Sequence, residues 1–192
     1  MARTKEFDRD QALDKAMNLF WRCGYEATSL DALLKTMGIA RQSLYDTFGD
    51  KHALFLAALE RYMARRDGAT SSALDSAHSA KRAIREIFMA IVSESTADKK
   101  RGCFGVNSAL ELAPHDTDVA RLIVIRQRSV EEAFFRALER AREQGEISPK
   151  KDTRALARFL LAALQGLRVS AKADPHSPAL VDIAEVALQT LD

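Results

Sequence analysis

The stretch that most constrains this chain is a pair of short apolar-patterned segments hinged on one glycine. Leu30, Leu33, Leu34 and Met37 recur at i, i+3, i+4 and i+7, one stripe of an amphipathic helix. Gly38 follows, a residue that readily takes the left-handed conformation that ends a helix. Ile39 is apolar, and a second helical pattern runs from Arg41 to about Phe48. Leu44 and Phe48 share one face of it, which leaves Arg41, Gln42, Ser43, Tyr45 and Thr47 on the others. Two helices joined by a short glycine turn, the second with long hydrogen-bonding side chains at its start, predict a helix-turn-helix.

Everything else keeps a helical period. A first helix is expected from Asp8 to about Cys23, closed by Gly24, with Leu13, Ala16, Met17 and Phe20 on one stripe. Thr28 is expected to begin and cap the second helix, with Asp31 three residues on as a variant of the reciprocal cap. Asp50 can cap a fourth helix, whose buried stripe is Phe55, Ala58, Leu59 and Tyr62, out to about Arg66. The Gly, Ser, Thr and Ala of 68–79 read as a loop. Five further helices are expected: one around Ile84–Ile91, a short one around 106–113, a long one from Asp116 to Gly145, one from Asp152 to Lys172, and one opened by Ser177 and Pro178. The expected architecture is all-α with about nine helices. Residues 1–51 are expected to form an N-terminal three-helix domain carrying the helix-turn-helix, and 52–192 a larger C-terminal domain.

Composition excludes several classes. At 192 residues, with 47% hydrophobic and 29% charged residues, the chain suits a globular protein with a sizeable core. No run of 18 apolar residues exists to span a membrane. The first residues lack an apolar signal core, and two cysteines make no disulfide framework, so a reducing cytoplasm is expected. The net charge is only +2, and acids balance bases through Lys51. A DNA-binding face must therefore come from local arrangement, with Arg3 and Lys5 on an N-terminal arm beside Arg41 and Lys51. The four histidines are dispersed and no phosphate-binding glycine loop is present, so no enzyme, metal or cofactor is expected.

The segment from Phe20 to Phe55 resembles the DNA-binding domain of TetR-type transcription regulators. The resemblance is carried by Gly24-Tyr25-x-x-Thr28-Ser29, by Gly38-Ile39 followed by Leu44-Tyr45-x-x-Phe48, and by Lys51-x-x-Leu54-Phe55. It implies a homodimeric regulator, usually a repressor, that leaves a palindromic operator when a small molecule occupies the C-terminal domain. It also implies that Tyr45 and Thr47 contact the DNA backbone, that Lys51 binds phosphate, and that the last two helices make the dimer. Their wide apolar stripes, Leu156 to Leu167 and Leu180 to Leu191, exceed what one packing partner requires, and Gly166 would allow close helix approach.

At the start of a recognition helix, Arg can bond two acceptors of guanine and Gln can bond adenine bidentately. Arg41 and Gln42 are therefore the candidates for base readout, with phosphate or water contact as the alternative. Ser43 can reach either, and Thr28 can donate to phosphate. In a dimer two such helices must lie about 34–36 Å apart, and the fourth helix, which joins the two parts, is the expected coupling element. Candidate effector-pocket residues are Phe88, Phe104, Phe134 and Phe159, with polar Asn107, Glu111 and Gln127; plain core is the alternative for the aromatics. Cys103 follows Lys99-Lys100-Arg101-Gly102 and begins a helix, two features that favour thiolate. The segment Gly102-Cys103-Phe104 resembles the corresponding stretch of TetR-type regulators that sense electrophiles or oxidants through cysteine, the alternative being a small buried residue packing the helix start. Cys23 has no such setting. A helical adaptor or protein-interaction module without DNA binding is the rival reading of the whole chain.

Overall fold

The computed structural model describes residues 7–192, so Arg3 and Lys5 lie outside the described residues. Among the described residues there are ten α-helices and no strand: α1 Arg9–Cys23, α2 Leu30–Met37, α3 Arg41–Phe48, α4 Lys51–Ser76, α5 Ala80–Val92, α6 Thr96–Arg101, α7 Phe104–Glu111, α8 Thr117–Glu143, α9 Thr153–Ala173 and α10 Ala179–Gln189. The all-α class and the helical order are those expected. The helix added is α6, six residues within the polar stretch, capped by the Ser95 hydroxyl, which accepts from the Asp98 amide. No helix of the described residues is long and apolar enough to cross a membrane.

Two apolar clusters organise the chain. In the first, α1–α3 and the N-terminal half of α4 pack Phe20, Leu33, Leu44, Phe48, Phe55 and Leu59 together. Phe104 of α7 and Val119 and Ile123 of α8 close it. The second joins Leu74 of α4 to Ile84 and Phe88 of α5, Phe134 and Leu138 of α8, Leu160 and Leu167 of α9, and Leu180 and Leu188 of α10. α4 runs through both, so the core built by α1–α3 is completed by residues beyond Lys51.

Three local expectations are corrected. The segment 68–79 is not a loop: α4 continues to Ser76. Leu74 is fully buried there, the Arg140 guanidinium donates to its carbonyl at 2.7 Å, and Asp75 pairs with Arg136 at 3.2 Å. Small polar residues are weak helix formers, and tertiary contacts override that preference. Ser29, not Thr28, caps α2, its hydroxyl accepting from the Ala32 amide at 3.1 Å. Ser177 makes no side-chain cap; Pro178 itself sits at the cap of α10 with helical angles.

Candidate nucleic-acid interface

Gly38 has φ 73° and ψ 36°, and its amide donates to the Leu34 carbonyl, so α2 ends as the sequence requires. α3 then turns Leu44 and Phe48 into the core and leaves Arg41, Gln42, Tyr45 and Asp46 exposed, with Ser43 and Thr47 half-buried at the edges. Ala40 supplies no side-chain cap to α3, so the helix presents unpaired N-terminal amides, groups that suit an anion such as phosphate.

The two base-readout candidates are tied to acids. The Arg41 guanidinium donates to Asp31 Oδ1 at 2.8 Å, and the Gln42 amide donates to Asp46 Oδ1 at 2.8 Å. Exposed pairs of this kind contribute only about 0–1 kcal/mol, so either side chain can exchange its acid for a base edge at little cost. Lys51 is half-buried, its ammonium 4.2 Å from the centre of the Tyr25 ring. Thr28 leaves the contact set: it is 1% exposed and its hydroxyl donates to the Gly24 carbonyl at 2.5 Å. That position turns the chain from α1 into α2 and has no hydroxyl left for phosphate.

A charged bracket that the sequence reading missed holds this domain to α4. Arg61 donates from Nε to Asp14 Oδ1 at 2.7 Å and from Nη1 to Asp10 Oδ1 at 3.1 Å, and Arg65 donates to Asp14 Oδ2 at 3.1 Å. Its signal was present as acids four apart on α1 and arginines four apart on α4. At the other end of the joint, His52 Nε2 lies 2.7 Å from Asp116 Oδ2. The other oxygen of Asp116 caps α8, accepting from the Asp118 and Val119 amides.

The effector expectations fare differently. A cavity of about 420 Å³ lies among α4, α5, α7, α8 and α9, walled by Tyr62, Met63, Ile87, Ile91, Cys103, Val106, Ala109, Gln127, Val130 and Leu161, with Arg66 and Gln165 among its polar groups. Of the seven pocket candidates only Gln127 lines it. Phe88 and Phe134 are corrected to core, since both are fully buried in the second cluster. Phe104 is buried in the first cluster and, with Asn107 and Glu111, borders a separate cavity of about 380 Å³ against α1. Phe159 is 44% exposed on the outer face of α9. Helical period places a residue on a face but does not say which neighbour that face meets.

Glu111 in fact reaches out of α7 to the turn after α1, where Oε1 accepts from the Tyr25 and Glu26 amides at 2.9 and 3.1 Å. Gly24 leaves room for it, because a Cβ there would stand 2.9 Å from the Glu111 carboxylate. Asn107 donates to the Arg101 carbonyl and accepts from Lys172. Cys103 is half-buried at the N-cap of α7. The basic run before it is otherwise engaged: Lys99 donates to the Pro175 carbonyl, and the Arg101 guanidinium lies 3.5 Å from the centre of the Trp21 ring. Cys23 is exposed.

An exposed polar helix, locked by its apolar face onto a three-helix core, is the DNA-reading part of a helix-turn-helix protein. Residues 12–58 match the family of bacterial regulatory proteins, tetR family, and residues 79–186 match the tetracyclin repressor-like C-terminal domain. Over 194 aligned residues the chain is 40% identical to an uncharacterized HTH-type transcriptional regulator, YezE of Bacillus subtilis (strain 168), covering 100% of both chains. It is 38% identical to the HTH-type transcriptional repressor ComR of Escherichia coli (strain K12), over 97% of this chain and 90% of that one. Among solved structures it is similar to a cysteine-substituted form of the TetR family regulator CifR complexed with 26-base-pair operator DNA. That likeness has a TM-score of 0.85, 33% identity and 100% coverage of both chains. The protein is a helix-turn-helix transcriptional regulator. It belongs to the TetR family.

The bracket between α1 and α4 sets a pH dependence. Hydrogen bonds from Arg61 hold the Asp14 carboxyl below its ordinary 3.8; burial opposes them and Arg65 adds to them. A carboxyl depressed in the folded state contributes stability above its unfolded pKa and loses it as pH falls through the folded value. Asp14→Asn is therefore expected to lower stability at pH 7 by up to about 1 kcal/mol. It should also flatten the decline below pH ~4. Urea midpoints measured from pH 7 down to pH 3 check this; parallel curves for the two proteins would count against it.

Proposed function

We propose that this protein is a dimeric repressor that holds a palindromic operator through α3 and releases it when its C-terminal cavity is filled or Cys103 is modified. The observation that carries the DNA contact is the division of α3, with Leu44 and Phe48 buried and Arg41, Gln42 and Tyr45 outside. Arg41 and Gln42 read bases. Ser43, Tyr45, Thr47 and Lys51 hold the backbone, which fixes register without carrying sequence information. The repressor in Escherichia coli supports the sign of regulation, and the operator complex of CifR supports the duplex as partner.

The dimer forms through α9 and α10. Phe159, Val169, Val181 and Val186 stand exposed there, and the Gly166 Cα faces open space. Apolar side chains on the outer faces of two adjacent helices favour a two-fold partner that covers both, and a glycine lets helix backbones approach. The functional division falls near 51/52, with α4 as the element both parts share. Tyr62, Met63, Arg66 and Thr70 of α4 line the cavity, and Lys51 begins the same helix. α7 supports a second line of coupling, since Cys103, Val106 and Ala109 face the cavity while Glu111 caps the α1–α2 turn. An occupant shifts DNA affinity only by fitting one arrangement of these helices better than the other.

Binding to a duplex selected from a random pool tests the reading. Arg41→Ala is expected to cost roughly 1–3 kcal/mol at one base position and to relax specificity there. Lys51→Ala should weaken all sequences alike and reduce the slope of log K against log salt by about 1. An unchanged specificity profile in the first variant removes Arg41 from readout, and no salt-sensitive binding by the parent protein would favour the adaptor reading. Val181→Glu combined with Val186→Glu should sediment as a monomer; a dimer of undiminished affinity would move the interface elsewhere.

A further inference from the structure

Two reactive-looking groups share the wall of the larger cavity. Tyr62 is 7% exposed, and among the described residues its hydroxyl has no hydrogen-bond partner. Leaving such a group unpaired costs about 1–3 kcal/mol, which a polar ligand atom would recover. The ring is fixed, with edge contacts to Trp21 at 4.7 Å and to Phe104 at 5.7 Å between centroids. Cys103 lies half-buried on the same wall. Burial pushes the Tyr62 phenol far above its ordinary range, and the neighbouring Cys103 charge pushes it further. The phenol therefore stays protonated and has a proton to donate to a developing anion. Around the pair the walls are mostly apolar, with Met63, Ile87, Ile91, Val106, Ala109 and Val130, and Arg66 is the charged lining group that acts on the phenol.

We propose that Cys103 and Tyr62 form a covalent capture site for apolar α,β-unsaturated carbonyl compounds, with Tyr62 as the positioning donor to the carbonyl oxygen. The inference rests on the reading that Cys103 modification is one route to release, and it adds the chemical class and the second residue. The Cys103 sulfur forms a bond to the β-carbon while the carbon–carbon π bond breaks. Its electron pair moves toward the carbonyl oxygen, which becomes an enolate oxygen hydrogen-bonded to the Tyr62 hydroxyl. The proton lost from the thiol returns through solvent to the α-carbon. The product is a thioether with the carbonyl restored, and nothing is oxidised, reduced or expelled. A protonated donor aimed at an oxygen that gains charge is the arrangement that accelerates this addition. It offers nothing to an alkylating agent whose departing group is a halide. The adduct sits at the N-cap of α7, one residue from Gly102, whose carbonyl accepts the Trp21 indole N–H at 3.1 Å. That places the new bulk beside a direct link to α1.

The test compares two probes on the full-length protein in a Cys23→Ser background, with the Cys103 adduct followed by intact mass and peptide mapping. 2-Cyclohexen-1-one carries the carbonyl; allyl bromide alkylates the same sulfur without any oxygen. Tyr62→Phe is expected to slow the enone reaction roughly 10- to 100-fold and to leave the allyl bromide rate within about two-fold, since only the former develops an oxyanion. Its melting temperature should be unchanged or raised, because the hydroxyl removed has no partner. Equal slowing of both probes, or of neither, overturns the role of Tyr62 while leaving Cys103 modification standing. Failure of both probes to label Cys103 in the parent protein overturns the capture site and the modification route together, and leaves DNA binding untouched.

Discussion

α4 cannot move without disturbing two cores, because it is one uninterrupted helix of 26 residues from Lys51 to Ser76. Near its start Phe55 and Leu59 are fully buried against α1–α3, and near its end Leu74 is fully buried against α5 and α8. Buried side chains of this size each contribute about 1.5–3 kcal/mol by leaving water, so neither end can slip free. Packed interiors repack between discrete arrangements rather than deforming smoothly. The cavity wall that α4 supplies with Tyr62, Met63, Arg66 and Thr70 is therefore part of the same uninterrupted helix that packs on α1–α3. The arginines of the α1 bracket belong to this same helix and tie α1 to it.

The DNA-reading face is built from cheap ties. Arg41 and Gln42 are each held by a single exposed acid, and acids balance bases through Lys51, so no excess positive charge is available. The face therefore relies on placement: an uncapped helix start, a lysine held over a tyrosine ring, and hydrogen-bonding side chains pre-set by a rigid apolar anchor. Phosphate contacts add affinity for all duplexes alike, whereas placement of side chains at base edges is what distinguishes sequences.

The places where the sequence misled share a cause. Thr28 has the side chain of a cap, yet Ser29 takes that role one residue later, and Thr28 turns inward onto Gly24. The segment 68–79 has the composition of a loop, yet Leu74 and Asp75 find partners on α8 that hold the helix open for two more turns. Phe88, Phe134 and Glu111 have pocket-like chemistry, but two are core and one is a cap for another domain's turn. In each case the neighbour that decided the outcome was absent from the local pattern.

The sequence by itself determined the all-α class, the order of the main helices and the recognition element, since 3.6-residue periodicity, Gly38 and the Leu44–Phe48 anchor are local signals that need no distant partner. Tertiary structure alone decided the continuity of α4, the Asp14–Arg61 bracket, the Glu111 cap and the pairing of Tyr62 with Cys103 on one cavity wall. Those contacts join residues 41 to 86 positions apart, and only the packing of helices against one another brings such residues within reach.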